Sequence, residues 1–391
     1  MDKKILRIVI TGGPCGGKTT ALEQIAKIFR EQGYTIFTVN ETATELINDG
    51  IKPFGNDLDR LKTIDFQRLV LDAQYAKEQI RDEAARACSN DKVVILYDRG
   101  ILDNRAYITH EEFKELAKAK GLTEAEILSK YDLVLHLTTA ADGAEKDYSL
   151  DNNSARTETI EEARAIDKKT KEAWSTHPNQ YIFDNDGIDF DQKLHRVGNV
   201  IRGYLGEEEV LHREKYVVEI KGLDLSQFSG LNLIREDIEE FVGIDNPNYN
   251  EMYRKSTIAD STYYTYTKIR YREDGTKATM QRNITEREYL ENLERTGREP
   301  IKKVRYNFIS KGERFRLDSY LDTYGLMTLE RDVTKPNIKN IPGFITKVRE
   351  ITDDRDYSSA NIYKAINKHR EEEKENDIYK VLKLKRKQDK E

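Results

Sequence analysis

The sequence predicts two units in series. The first is of the α/β phosphate-loop fold class, a parallel sheet with helices on both faces. The second is an α+β, mostly antiparallel domain. Three observations carry this. Short apolar runs alternate with helix-patterned stretches over residues 1–206, a glycine-rich signature joins the first run to the first helix, and past Tyr204-Leu205-Gly206-Glu207-Glu208-Glu209 the pattern becomes alternating strands.

In the first unit, Ile5–Ile10, Thr35–Val39, Lys92–Tyr97, Leu133–Leu137 and Tyr181–Phe183 read as buried strands. Thr19–Gln32, Leu58–Ser89 and Thr159–Trp174 read as helices between them. In the second unit, strands are expected at Tyr264–Arg272, Thr279–Asn283, Lys303–Asn307, Arg314–Tyr320, Leu326–Val333 and Phe344–Thr352, with a helix at Thr285–Thr296. The expected division is 1–206, 211–365 and a charged, helix-patterned tail over 366–391.

A chain of 391 residues exceeds one ordinary core. With 37% hydrophobic and 35% charged residues it reads as a folded, water-soluble protein, not a disordered one. A formal net charge of −6 argues against coating of nucleic acid, leaving room for a local basic groove. The two cysteines, Cys15 and Cys88, are too few for a disulfide framework and suggest a reducing compartment. The opening apolar run is too short for a signal peptide or a membrane span and is interrupted by Arg7. Nothing later reaches spanning length, so a cytoplasmic protein is expected.

Gly12-Gly13-Pro14-Cys15-Gly16-Gly17-Lys18-Thr19 has a glycine, four residues, then Gly-Lys-Thr. The glycines let backbone amides turn inward around phosphate oxygens, and the following helix, with Thr20 in its first turn, offers its positive end. Lys18 is placed for the β- and γ-phosphates and the Thr19 hydroxyl for magnesium. ATP or GTP with Mg2+ is the expected ligand. No residue reads adenine or guanine.

The acceptor side rests on strand ends, where open parallel sheets bind their ligands. Asp98-Arg99-Gly100 follows one buried strand; Asp98 suits the magnesium shell and Arg99 a phosphate clamp, or the two form a plain salt bridge. Glu41 follows strand two, as a base for an attacking hydroxyl or as a helix-starting acid. The polar segment Asp151–Glu158 reads as a lid carrying Arg156 over the triphosphate, or as a solvated loop.

These residues, with Phe66-Gln67, Asp103, Tyr107 and Arg156-Thr157-Glu158, resemble the phosphate-loop kinase-like ATPase family. It includes the ribosylnicotinamide kinase domain of a bacterial NAD-synthesis regulator. The likeness to deoxynucleoside and thymidylate kinases is more distant. It covers roughly residues 5–206 and implies Glu41 as base, Gln67 as a contact to a nucleoside base, Arg99 as a phosphate ligand, and Asp103 and Tyr107 on the acceptor side.

In the second unit, strand alternation puts Tyr264, Tyr266, Lys268, Arg270 and Arg272 on one face. Lys303 with Arg305, Arg316 with Asp318, and Glu330 with Asp332 share faces on other strands. So many charges cannot all enter a dry core. A water-filled, charge-lined barrel gripping polyphosphate and metal resolves this, as does an open sheet with a solvated face. The pattern of Lys268-Ile269-Arg270, Lys303-Val304-Arg305, Leu329-Glu330-Arg331-Asp332 and Glu350-Ile351-Thr352 resembles the CYTH superfamily of triphosphate tunnel enzymes over about 211–365. The likeness implies a CYTH-like barrel whose ligand set adds Lys215, Lys221 and Glu350. The family's opening Glu, Glu, Lys alternation is not kept here. Leu211 and Arg213 precede Lys215 in one register, and Val217 and Glu219 precede Lys221 in the other. Binding of a phosphorylated ligand is therefore expected over its hydrolysis.

The two units in this order look like the TRPL-translocation-defect-14-like family of nucleotide-binding proteins. Three functions stay open from the sequence. They are a kinase acting on a nucleoside-like small molecule, a nucleotide-gated protein binding a phosphorylated ligand or anionic lipid headgroup, and a triphosphatase or cyclase in the second unit.

Overall fold

The computed structural model describes residues 4–53, 60–148, 159–205, 212–220, 228, 231–243, 246, 249–259, 261–271, 277–321, 323, 325–333, 341–352 and 354–372. Arg156, Lys221 and Arg272, and the side chain of Asp332, lie outside the described part.

The first unit runs β1 (Lys4–Thr11), α1 (Lys18–Glu31), β2 (Thr35–Val39), α2 (Thr42–Asn48), the two-residue β3 (Lys52–Pro53) and β4 (Arg60–Leu61), and α3 (Thr63–Ala87). It continues with β5 (Lys92–Asp98), α4 (His110–Ala119), α5 (Glu124–Lys130), β6 (Leu133–Leu137), α6 (Ile160–Ala173), β7 (Gln180–Phe183) and α7 (Phe190–Leu205). Five strands form one parallel sheet in the order β2-β5-β1-β6-β7. Alternation along β1 splits the core. Leu6, Ile8 and Ile10 pack with Ile25 and Phe29 of α1 and Val197 and Ile201 of α7. Val9 turns the other way, toward Leu71 of α3, Phe113 of α4 and Trp174. Covered on both faces, the strands are continuously apolar, as parallel strands must be.

The second unit contains β8 (His212–Ile220), β9 (Ile234–Val242), β10 (Tyr249–Ile258), β11 (Ser261–Tyr271), β12 (Lys277–Ile284), α8 (Glu286–Thr296), β13 (Ile301–Ser310), β14 (Glu313–Tyr320), β15 (Met327–Val333) and β16 (Ile345–Glu350). They make a nine-stranded antiparallel sheet ordered β12-β11-β10-β9-β13-β14-β15-β8-β16. Helical backbone follows over 359–372.

The pairing register sorts this sheet into an apolar face and a charged face. Phe241, Tyr253 and Tyr266 pack with Tyr289 of α8 and with Tyr363 and Ile366. Tyr216, Phe308, Phe315 and Leu329 continue that apolar face. The opposite face carries Glu240 and Arg254 in register, Arg305 opposite both Glu236 and Asp318, and Arg316 opposite Glu330, which itself faces Lys215.

Two sequence expectations change here. Lys268 pairs with Glu251 and Arg270 with Tyr249, on the apolar side, where Lys268 Nζ sits 3.5 Å over the Tyr249 ring. Glu350 pairs with Tyr216, also on that side, because the register shifts between Lys347 and Arg349. These three therefore stand apart from Lys303 and Arg305.

The two units touch through buried side chains. Arg314 Nε donates to the Ser175 carbonyl at 3.0 Å, and its Nη1 to those of Pro178 and Gln180, both at 3.4 Å. Arg316 Nη1 donates to the Pro178 carbonyl at 3.2 Å. Among the described residues, no helix is long and apolar enough to cross a membrane.

Candidate functional site

The glycine loop between β1 and α1 is shaped by crowding. Gly12 has φ +140°, and a Cβ there would fall 2.0 Å from the Leu137 carbonyl oxygen. One at Gly16 would fall 2.6 Å from the same oxygen, and one at Gly13 2.8 Å from Asp167 Cβ. The backbone is pinned from outside: Thr139 Oγ1 donates to the Pro14 carbonyl, Ala140 N to that of Cys15, and Gly13 N donates to Asp167 Oδ1 at 2.8 Å. Asp167, on α6, also accepts from Thr139 N and pairs with His136 and Lys171. Burial alone would raise its pKa, but these partners hold it well below the carboxylate range. Lys18 is buried, and its Nζ donates to the carbonyls of Gly13 at 3.0 Å and Gly12 at 3.3 Å. The side chains of Thr19 and Thr20 are exposed at the start of α1.

Beside Lys18 stand the strand-end residues. Arg99 takes a left-handed φ of +73° and turns Nε onto Glu41 Oε1 at 2.5 Å. The sequence's Asp98-Arg99 pair is thus replaced by an Arg99–Glu41 pair. Burial pushes the Glu41 pKa upward, but Arg99 and Lys18 outweigh it and bring it down to about 2. Burial raises Asp98 to about 6 against the pull of Lys18. Asp98 Oδ1 and Arg99 Nη1 are buried without a hydrogen-bond partner. The α3 face toward them presents Gln67, only 4% exposed. Two turns on, Gln74 Nε2 donates to the Arg99 carbonyl.

Asp103 is engaged internally. Its oxygens accept from Thr11 Oγ1, from Gly100 N at 2.7 Å and from Trp174 Nε1 at 3.3 Å, which fixes it beneath Arg99 as a brace. Tyr107 is half-buried and close enough to act electrostatically on Arg99.

For the magnesium that such a loop implies, the residues present fit. An orphaned, buried carboxylate oxygen of Asp98 and the open Thr19 hydroxyl are hard oxygen donors. Among the described residues no cluster of three or more His, Cys, Asp or Glu could hold a metal by protein groups alone.

In the second unit the structure gathers Lys215, Lys303, Arg305, Arg316, Asp318 and Glu330. Lys303 Nζ lies 2.8 Å from Glu240 and 3.0 Å from Asp318, and Arg305 binds Asp318 with both Nε and Nη2. Glu330 sits between Lys215 at 3.6 Å and Arg316 at 3.4 Å. Burial would raise the Glu240 pKa, yet Lys303 and Arg254 lower it to about 2.

Residues 7–190 match the family model described as an AAA domain. The N-terminal part of the chain is an AAA-like phosphate-loop, nucleotide-binding domain. Among solved structures the chain is similar to the inorganic triphosphatase NE1496, at 15% identity over 39% of this chain and 93% of that one, with a TM-score of 0.27. It is also similar to the PH1819 protein from Pyrococcus horikoshii OT3, at 17% identity over 32% and 80%, with a TM-score of 0.25. The PH1012 protein of the same organism gives 13%, 32% and 80%, and 0.24. No curated protein matches the chain.

Sequence reading missed Asp167, Trp174, Lys193, Glu240, Arg254 and Arg314. Most of their partners are distant in sequence, so no local pattern marks them as a set. The one available signal is the Thr159/Glu162 capping box, which sets the start of α6 and thereby the phase of Asp167.

Proposed function

We propose that this protein transfers the γ-phosphoryl group of ATP or GTP to a hydroxyl of a nucleoside-like small molecule, and that its second unit binds a phosphorylated ligand. The observation that carries this is the acceptor side. A pure nucleotide switch has no use for an ionised Glu41, an Arg99 Nη1 without a hydrogen bond and a buried Gln67 beside the loop. Asp103 is left out of the acceptor contacts.

In this reading the loop amides and Lys18 hold the triphosphate, and Thr19 and Asp98 would hold magnesium, which would neutralise phosphate charge. Gln67 reads the acceptor's base and Tyr107 lines its pocket. Glu41 accepts a hydrogen bond from the acceptor hydroxyl. The hydroxyl oxygen bonds to the γ-phosphorus as the bond to the bridging oxygen breaks, its proton passes to Glu41, and nucleoside diphosphate leaves. Arg99 Nη1, and Arg156 from the segment before α6, meet the charge on the transferring group. A base with a pKa near 2 suits a loose transition state, in which the proton leaves late.

In the test, labelled ATP or GTP is supplied with magnesium and a panel of nucleosides and ribosides. A phosphorylated acceptor is expected, with Glu41→Gln slowing transfer by about 100-fold or more while nucleotide still binds. Nucleotide binding with no acceptor phosphorylated overturns the kinase reading.

A second reading, a nucleotide-gated binder of a phosphorylated ligand or anionic lipid headgroup, is favoured by one contact. Arg316, from the second unit's charged face, also holds the Pro178 carbonyl of the first unit. A phosphorylated-ligand affinity that differs between the triphosphate- and diphosphate-bound protein supports gating; identical affinities remove it.

A further inference from the structure

The glycine loop holds phosphates and says nothing about the nucleoside attached to them. One side chain beside the loop does. Phe190, the first residue of α7, lies against Gly17 so closely that a Cβ built there would fall 2.2 Å from Phe190 Cε2. Gly17 has φ +80°, so a side chain is doubly excluded. Yet Phe190 remains 42% exposed, one of five exposed large apolar side chains among the described residues. Its ring is packed against the loop on one side and open on the other.

The ring is also held in place. Asp189 and Gln192 cap the start of α7 reciprocally, through Gln192 N to Asp189 Oδ1 at 2.8 Å and Asp189 N to Gln192 Oε1 at 3.0 Å. In the same first turn the buried Lys193 donates to the Thr138 carbonyl at 2.7 Å and to Asn185 Oδ1 at 2.8 Å. Asn185 Nδ2 in turn donates to the carbonyls of Thr139 and Asp142, both at 2.7 Å. This turn cannot swing away from the loop without breaking those bonds.

The direction of the bound triphosphate follows from the charges. Lys18 acts electrostatically on both Glu41 and Asp98, so the γ end faces them. That leaves the α-phosphate and its nucleoside at the other end of the loop, near the start of α1, where Phe190 abuts Gly17.

We propose that Phe190 is the platform on which the base of the bound nucleoside triphosphate stacks. The proposal rests on the phosphate-loop reading above and adds the base subsite to it. An aromatic face accepts any nucleobase, so Phe190 sets affinity for a nucleotide over bare polyphosphate and does not choose between ATP and GTP.

The test is a titration of the full chain with the magnesium complexes of ATP, GTP and inorganic tripolyphosphate. Phe190→Ala is expected to weaken ATP and GTP by a similar factor, about 5- to 100-fold, and to leave tripolyphosphate within about twofold. Phe190→Trp is expected to retain nucleotide affinity. Unchanged ATP and GTP affinities in Phe190→Ala overturn the proposal. So does an equal loss for tripolyphosphate, which makes Phe190 a prop for Gly17 instead. Lys18→Ala separates the underlying reading: it weakens all three ligands if the loop holds phosphate, and none if that reading is wrong.

Discussion

Glu41 and Asp98 end neighbouring strands, feel the same lysine, and are driven in opposite directions. Glu41 has Arg99 as a partner, whereas Asp98 has burial and an empty oxygen. An acid raised from 3.8 to about 6 binds its proton more tightly in the folded chain. The ligand-free protein therefore loses stability as pH rises from about 4 to 6, and a ligating Asp98 must shed that proton. Affinity for the magnesium–nucleotide complex should rise from pH 5 to 7. Asp98→Asn should flatten that rise, as calorimetry at several pH values would show; an unchanged slope assigns it elsewhere. At this scale the sequence was legible at strand ends, where Glu41, Asp98 and Arg99 follow apolar runs. That Arg99 pairs with Glu41 and not with its neighbour was not legible. It depends on a left-handed Arg99 and on two strands meeting across the sheet. The same holds for Asp103, whose indole partner Trp174 comes from α6's end.

The helix α6 carries the carboxylate that ties down the loop, so its own start matters. Thr159 Oγ1 accepts from Glu162 N at 3.2 Å, while Glu162 accepts from Thr159 N at 2.8 Å. Thr159→Ala should cost about 1 kcal/mol and lower Tm by a few degrees, read by thermal melts with and without nucleotide. No change in Tm would mean that α6 is held by its packing alone. Strands of the first unit were legible nearly to the residue because each is a short apolar run bounded by turn residues, such as Thr35–Val39 and Leu133–Leu137. In the second unit β11 to β16 were legible too, but β8, β9 and β10 were not placed, and neither were the faces. Both faces of β11 carry polar groups, so alternation groups Lys268 with Arg270 without saying which side meets the other cations. Register decides that, and register is set by β10.

The whole molecule is a parallel sheet and an antiparallel one joined where Arg314 and Arg316 clasp the backbone between α6 and β7. Composition and the change of pattern foretold a parallel sheet followed by an antiparallel one, yet nothing in an alternating Arg-Phe-Arg strand says that its arginines will meet main-chain carbonyls beside the parallel sheet. The clasp adjoins Trp174, which braces Asp103 beneath Arg99, so the nucleotide site and the charged face share a wall. Everything functional still depends on the loop between β1 and α1 holding a triphosphate. Direct titration of magnesium–ATP and magnesium–GTP into wild type and Lys18→Ala examines that most plainly. The ammonium group contributes charge-assisted bonds to phosphate, so affinity should fall by about 10- to 100-fold in the variant, with its fold intact. Equal affinity in the two proteins would contradict the account.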